Sequence, residues 1–169
     1  MLYKTSQFTG KVGPKILRRG FEEVGLDHVL QKDIRLLDAG CGPGYFLKHM
    51  HDKFPNIDLY GVDISGRGTY MASVIAPEAK ILRADFQRLP FRDESFDIVH
   101  SSCIFDESIG HGKKFEPFNM IWQVYRVLKE GGIYFVVDIN VGDKPLSDEL
   151  AYLEDFFNRK SECVFVKEE

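Results

Sequence analysis

Asp38 stands just ahead of three glycines at alternate positions, Gly40, Gly42 and Gly44, in the stretch IRLLDAGCGPGYF (residues 34–46). Ile34, Leu36 and Leu37 make a short apolar run before the acid, the pattern of a buried strand in a parallel sheet. Glycines at a strand end permit positive φ and let a ligand come up against bare backbone. A helix starting just after them points its free N–H groups at that ligand. The stretch has the chemistry of a nucleotide-type binding turn, and spacing must say which nucleotide.

Spacing turns away two common answers. The dinucleotide fingerprint G-x-G-x-x-G, begun at Gly40, needs its third glycine where Tyr45 stands. A phosphate-cradling P-loop needs Gly-Lys-Ser or Gly-Lys-Thr, and neither occurs in the chain. What remains, D-x-G-x-G-x-G, resembles motif I of the class I S-adenosylmethionine (SAM)-dependent methyltransferases. The resemblance implies SAM as cofactor, with Asp38, Gly40, Cys41, Gly42 and Gly44 lining it. An acid suits that ligand, because SAM carries an ammonium and a sulfonium rather than a pyrophosphate.

The segment IDLYGVD (57–63) reads as a second strand ending in Asp63. An acid about 20 residues beyond such a turn is the usual acceptor for both ribose hydroxyls. A carboxylate offers two oxygens to two donors. An ordinary helix N-cap acid is the competing reading. The resemblance sets Ile64 against the adenine face. A third strand, AKILR (79–83), leads into ADFQRLPFRDESFDIVHSS, a run closely similar to one found in many SAM methyltransferases. That match implies that Asp85 accepts from the adenine amino group. It gives Phe86 a backbone N–H contact to the ring and a place in the pocket wall. Asp85 as a plain turn-former is the alternative.

Strand four carries Phe96, Ile98 and Val99, and the loop SSCIFDESIGHG (Ser101–Gly112) leaves its carboxyl end, the edge where open α/β sheets bind ligands. Ser101 is thereby set beside the cofactor. Methyltransferases acting on amino groups of adenine or glutamine carry an Asn/Asp-Pro-Pro-aromatic motif here, and Ser-Ser-Cys-Ile argues against that substrate class. Asp106, Glu107 and His111 are the titratable cluster of this loop. His111 is the candidate general base, because a histidine takes a proton near neutral pH. A solvated polar loop is the competing reading.

These residues need a scaffold, and 169 residues supply one domain with a sizeable core. A net charge of −4 leaves no footprint for nucleic acid. Three scattered cysteines without C-x-x-C suggest reduced thiols and a cytoplasmic protein. Neither a leader's apolar core nor a membrane-spanning run is evident. His49 and His51 lie two apart, so on a helix they do not share a metal, and no metal site is read.

Residues 1–31 suggest a helix from Pro14, with Ile16, Leu17, Phe21 and Val24 on one face. In the family this region often lids the pocket, which makes Tyr3 and Phe8 candidates to touch ligand. Phe118, Ile121, Trp122, Tyr125 and Leu128 recur at helical spacing and read as core packing. Lys129–Gly132 ends that helix, and Ile133–Ile139 forms strand five; R-V-L-K-E-G-G before a strand also resembles the family.

The family then adds a helix, a sixth strand and an antiparallel seventh. Here Leu150, Leu153, Phe156 and Phe157 supply the helix, but only Cys163–Val166 reads as a strand. Either the hairpin is missing, or a second copy completes the sheet as a homodimer. In either case 163–166 is expected to cover strand five, whose bare edge would template aggregation. The expectation is an α/β, Rossmann-like, doubly wound and mostly parallel sheet (an α/β/α sandwich) with a shortened C-terminal end. It forms one domain over 1–169, with its SAM-binding core at 34–139. The resemblance, to the type 11-like small-molecule branch, implies methyl transfer to a small-molecule acceptor. The alternatives are a SAM-binding regulatory or partner protein without turnover, and an RNA or protein methyltransferase.

Overall fold

The sheet is built outward from the strand that precedes the glycines. In the computed structural model, residues 29–30, 33–102, 117–137, 153, 156–159 and 164–167 are described. The elements are β1 (Arg35–Ala39), α1 (Tyr45–Lys53), β2 (Asp58–Asp63), α2 (Gly66–Ile75) and β3 (Lys80–Arg83), then a 3-10 turn (Phe86–Arg88) and β4 (Phe96–Ser102). After these come α3 (Pro117–Val127), β5 (Leu128–Val137), β6 (Asn158–Arg159) and β7 (Val164–Val166). They form one seven-stranded sheet in the order β3-β2-β1-β4-β5-β7-β6. The first five strands are parallel, with Leu36 opposite Leu59 on one side and Ile98 on the other. The chain runs from β1 toward β3, then crosses to β4 on the far side of β1. The direction of winding reverses between β1 and β4, and ligands bind at such a switch point, outside the carboxyl ends of the strands.

Alternation along the strands feeds two cores, one on each face. Leu36, Ile98 and Phe135 pack with Phe46, Leu47 and Met50 of α1 and Ala72 of α2. Their neighbours Leu37, Val99 and Tyr134 pack with Met120, Ile121 and Val124 of α3. Because β1 and β5 are covered on both faces, their apolar runs are nearly unbroken.

The far edge corrects the expectation of a missing hairpin. β7 pairs antiparallel with β5, Phe165 lying opposite Tyr134. β6 pairs antiparallel with β7 in turn. Thus Val164–Val166 of the expected 163–166 segment cover strand five from within the chain, as one of the two expected routes had it, and no second copy is needed for that edge. The sixth strand is only two residues long, too short to show a period in the sequence.

Two further differences concern α3. The strand begins at Leu128 without an intervening loop, and the register with β4 shifts between Phe96 and Ile98 while Gly131 takes φ +68°. The aromatic stripe is only partly core. Met120, Ile121, Val124 and Val127 face inward, whereas Phe118 and Trp122 remain 51% and 44% exposed. Trp122 stacks on Tyr125, and Phe118 packs edge-on against Phe156. Tyr3, Phe8, the helix expected from Pro14, the loop residues Asp106, Glu107 and His111, and most of the expected C-terminal helix lie outside the described residues. Phe156 and Phe157, read as part of that last helix, stand instead in the turn that leads to β6.

Candidate functional site

The glycine turn closes on the end of β2. The N–H groups of Gly40 and Cys41 both donate to the Val62 carbonyl, at 2.8 and 2.9 Å. All three glycines have positive φ, but they serve different ends. Gly42, at φ +50°, has nothing within 4 Å of where a Cβ would stand, so its face is open space. Gly44, at φ +84°, would bring a Cβ to 2.9 Å from the Ala72 Cα, so here the missing side chain lets α1 cross α2. One glycine clears an approach, and another permits a helix contact.

Asp63 ends β2 and binds the turn from the other side. Its Oδ2 accepts from the Gly42 N–H at 2.8 Å, and its Oδ1 accepts from the Ser65 N–H at 2.7 Å. Ser65 caps α2, its hydroxyl accepting from Gly68 N–H at 3.2 Å. Capping therefore belongs to the serine, while the aspartate ties the turn to the start of α2. Each carboxylate oxygen retains acceptor capacity for a further donor.

Asp38 is buried, with 2% exposure, one residue before the end of β1. Its Oδ1 lies 2.7 Å from His100 Nδ1 on the neighbouring β4. The His100 ring is 1% exposed and stacks on Phe46 at 3.7 Å between centroids. Between the two acids sits Cys41, buried, its thiol pushed far up by burial first and then by the negative charges of Asp38 and Asp63. It is a small apolar filler, not a nucleophile. Ser101 is fully buried on the other face of β4, its hydroxyl 2.6 Å from the Tyr134 hydroxyl. Its side chain is thus engaged inside the sheet.

Asp85 follows β3 and caps the 3-10 turn, its Oδ1 accepting from the Gln87 N–H at 3.0 Å. Phe86 is buried in the core with Leu89 and Phe96. Ile64 stays half-buried beside Asp63. The structure thus brings Asp38, Gly40, Cys41, Gly42, Gly44, Asp63, Ile64, Asp85 and Phe86 to the carboxyl ends of β1, β2 and β3. His111 lies outside the described residues. Among those residues, no cluster of His, Cys, Asp and Glu could hold a metal ion, and no helix is long and apolar enough to cross a membrane.

The sequence reading missed His100. Its one signal is a polar residue in the apolar run DIVHSS, but its partner stands 62 positions away.

Residues 37–136 match the family model described as a methyltransferase domain. A malonyl-[acyl-carrier protein] O-methyltransferase of Legionella pneumophila is 30% identical over 117 residues, covering 68% of this chain and 40% of that protein. A sterol 24-C-methyltransferase of Neurospora crassa is 29% identical, covering 73% of this chain and 32% of its own length. The chain therefore aligns with well under half the length of these curated relatives. Among solved structures, the PH0226 protein of Pyrococcus horikoshii OT3 is similar in fold, with a TM-score of 0.64 at 20% identity, over 90% of this chain and 88% of that one.

Proposed function

The chain belongs to the class I SAM-dependent methyltransferases, and from that premise we propose that it binds SAM over the glycine turn and transfers its methyl group to a small-molecule acceptor. The observation that carries the reading is the charge of the turn. Two carboxylates, Asp38 and Asp63, flank an open backbone face at Gly42, and their joint field is felt by Cys41. A pyrophosphate would be repelled there, whereas a ligand bearing an ammonium and a sulfonium fits. Bound SAM supplies a methyl carbon activated by a positively charged sulfur.

The remaining contributions are the protein's own. Asp63 accepts from the ribose hydroxyls while its bonds to Gly42 and Ser65 hold it in place. Asp38 faces the ammonium. Asp85 accepts from the adenine amino group, with Ile64 and Phe86 against the ring. Ser101 marks the neighbouring strand end, acting through its backbone since its hydroxyl is engaged by Tyr134. Direct displacement at the methyl carbon needs the acceptor aligned and water excluded, so orientation can carry much of the rate. For an acceptor that must lose a proton, His111 is the candidate base.

The relatives' names pair oxygen with malonyl-[acyl-carrier protein] and carbon with sterol. They support the methyl-acceptor class broadly and leave the atom to experiment. The acidic balance argues against RNA as acceptor, and the scattered cysteines support a reducing cytosol.

Calorimetry with SAM, S-adenosylhomocysteine and NAD tests the binding step, followed by turnover on a panel of oxygen, nitrogen and carbon acceptors. Micromolar binding of the first two and none of NAD is expected. Binding of NAD alone overturns the reading. SAM binding without turnover on any acceptor, small molecule or RNA, favours a regulatory partner protein.

A further inference from the structure

His100 occupies an unusual position for a polar ring. It lies on the central strand β4, on the face that carries α1, stacked on Phe46 and inclined 25° to Phe135 at 5.6 Å. Among the described residues, its Nε2 is the one sealed side-chain nitrogen or oxygen without a hydrogen-bond partner. A phenylalanine or leucine would fill such a place without stranding a polar atom. Among the described residues, the ring's single polar contact is the 2.7 Å approach of Nδ1 to Asp38 Oδ1. An ionised carboxylate only accepts, so the proton between them is carried by Nδ1.

Asp38 is engaged on one side only. One oxygen is engaged by His100, and among the described residues no hydrogen bond reaches Oδ2. A carboxylate so buried needs a cation or donors to offset its lost hydration. Its charged neighbour across Cys41 is Asp63, of the same sign. The half-made pair is built to receive a positive group on the free oxygen.

We infer that His100 is a positioning residue for cofactor binding: its Nδ1–H fixes the Asp38 carboxylate turned so that Oδ2 meets the ammonium of SAM. This rests on the proposed function, which supplies the cation. It assigns the discrimination between amino-acid-bearing and tailless adenosyl thioethers to a residue that touches neither.

The test compares two probes by calorimetry: S-adenosylhomocysteine, which carries the ammonium, and 5′-methylthioadenosine, which lacks the amino-acid tail. His100→Phe keeps a stacked ring and removes the donor. It should weaken S-adenosylhomocysteine at least tenfold while shifting methylthioadenosine by less than threefold. His100→Asn returns an N–H near the Nδ1 position and should recover part of the lost affinity. Thermal melting identifies variants that fail to fold, and the ratio of the two affinities is read only on folded protein. If His100→Phe binds both probes as the unaltered protein does, or loses both equally, or if His100→Asn gives no recovery, the inference is overturned. If the unaltered protein binds neither probe, the SAM reading itself has failed, a result distinct from any change in the ratio.

Discussion

Asp63 and Gly42 are joined across the mouth of the site, the Gly42 N–H donating to Asp63 Oδ2 at 2.8 Å. The bond links the tip of the turn after β1 to the end of β2, positions 21 residues apart in the chain. The same carboxylate holds Ser65 N–H through its other oxygen. One side chain thus fixes the turn, starts α2, and keeps lone pairs for a ligand.

Removing that carboxylate should be felt twice. Asp63→Ala leaves two backbone donors without their acceptor, costing roughly 1–3 kcal/mol of stability. It should also weaken S-adenosylhomocysteine by about 1.5–3 kcal/mol, the usual range for hydrogen bonds to a charged group. Urea unfolding reads the first and calorimetry the second. Unchanged affinity beside reduced stability would leave Asp63 a purely structural acid.

Gly42 and Gly44 should fail in different ways. Both need left-handed backbone, which costs an L-residue about 1–2 kcal/mol. At Gly42 that is the whole stability cost, because the added methyl meets nothing within 4 Å. Gly42→Ala should therefore fold, while a bulkier residue there closes the approach and abolishes cofactor binding. At Gly44 the methyl would strike the Ala72 backbone at 2.9 Å, adding roughly 1–3 kcal/mol of overpacking. Paired denaturation and binding curves separate the two, and equal stabilities for the two alanine variants would contradict the assignment.

The contrast between these glycines also marks what the sequence made legible. D-x-G-x-G-x-G announced a strand, a turn and a helix, because each rests on local spacing. Why each glycine is needed depended on Ala72, 28 positions after Gly44, and on empty space, neither of which spacing records. The same holds for His100, whose partner Asp38 lies on another strand. Asn158-Arg159 is too short for a periodic pattern, so β6 was invisible until β7 brought a partner to it. The helical spacing of Phe118 and Trp122 was real, but those rings bury themselves partly against Tyr125 and Phe156 instead of the sheet.

Cys41 gives a pH signature. Its ordinary value is 9.0, and burial beside Asp38 and Asp63 raises it in the folded state. A raised folded value means full stability below the unfolded thiol's value and a loss as pH climbs above it. From about pH 9 upward, unfolding should gain up to roughly 1.4 kcal/mol per pH unit from this thiol. Cys41→Ala should flatten that alkaline limb without steepening stability loss below pH 8. Denaturation midpoints from pH 7 to 10.5 check it, and parallel curves for both proteins would show that the thiol is not sealed as described.

The last expectation concerns the far edge of the sheet. β5 is buried on both faces from Ile133 to Val137, and β7 supplies its outer hydrogen bonds through the Ile133–Val166 to Phe135–Val164 ladder. Lys167 then locks the corner. Its backbone exchanges bonds with Gly131 and Gly132, and its buried ammonium donates to the Leu128 carbonyl at 2.9 Å. The same ammonium sits 4.6 Å from the centre of the Tyr125 ring. Deleting residues 160–169 strips all of this and leaves the N–H and C=O groups of β5 unpaired beside exposed apolar side chains, a template for strand pairing between molecules. Aggregation should follow, visible as large species in light scattering. The milder Lys167→Ala removes the ammonium and its bond while keeping β7, and should cost roughly 1–3 kcal/mol in urea with the protein still monodisperse. A truncated chain that stays soluble, monomeric and able to bind S-adenosylhomocysteine would show that β5 does not depend on β7 for cover.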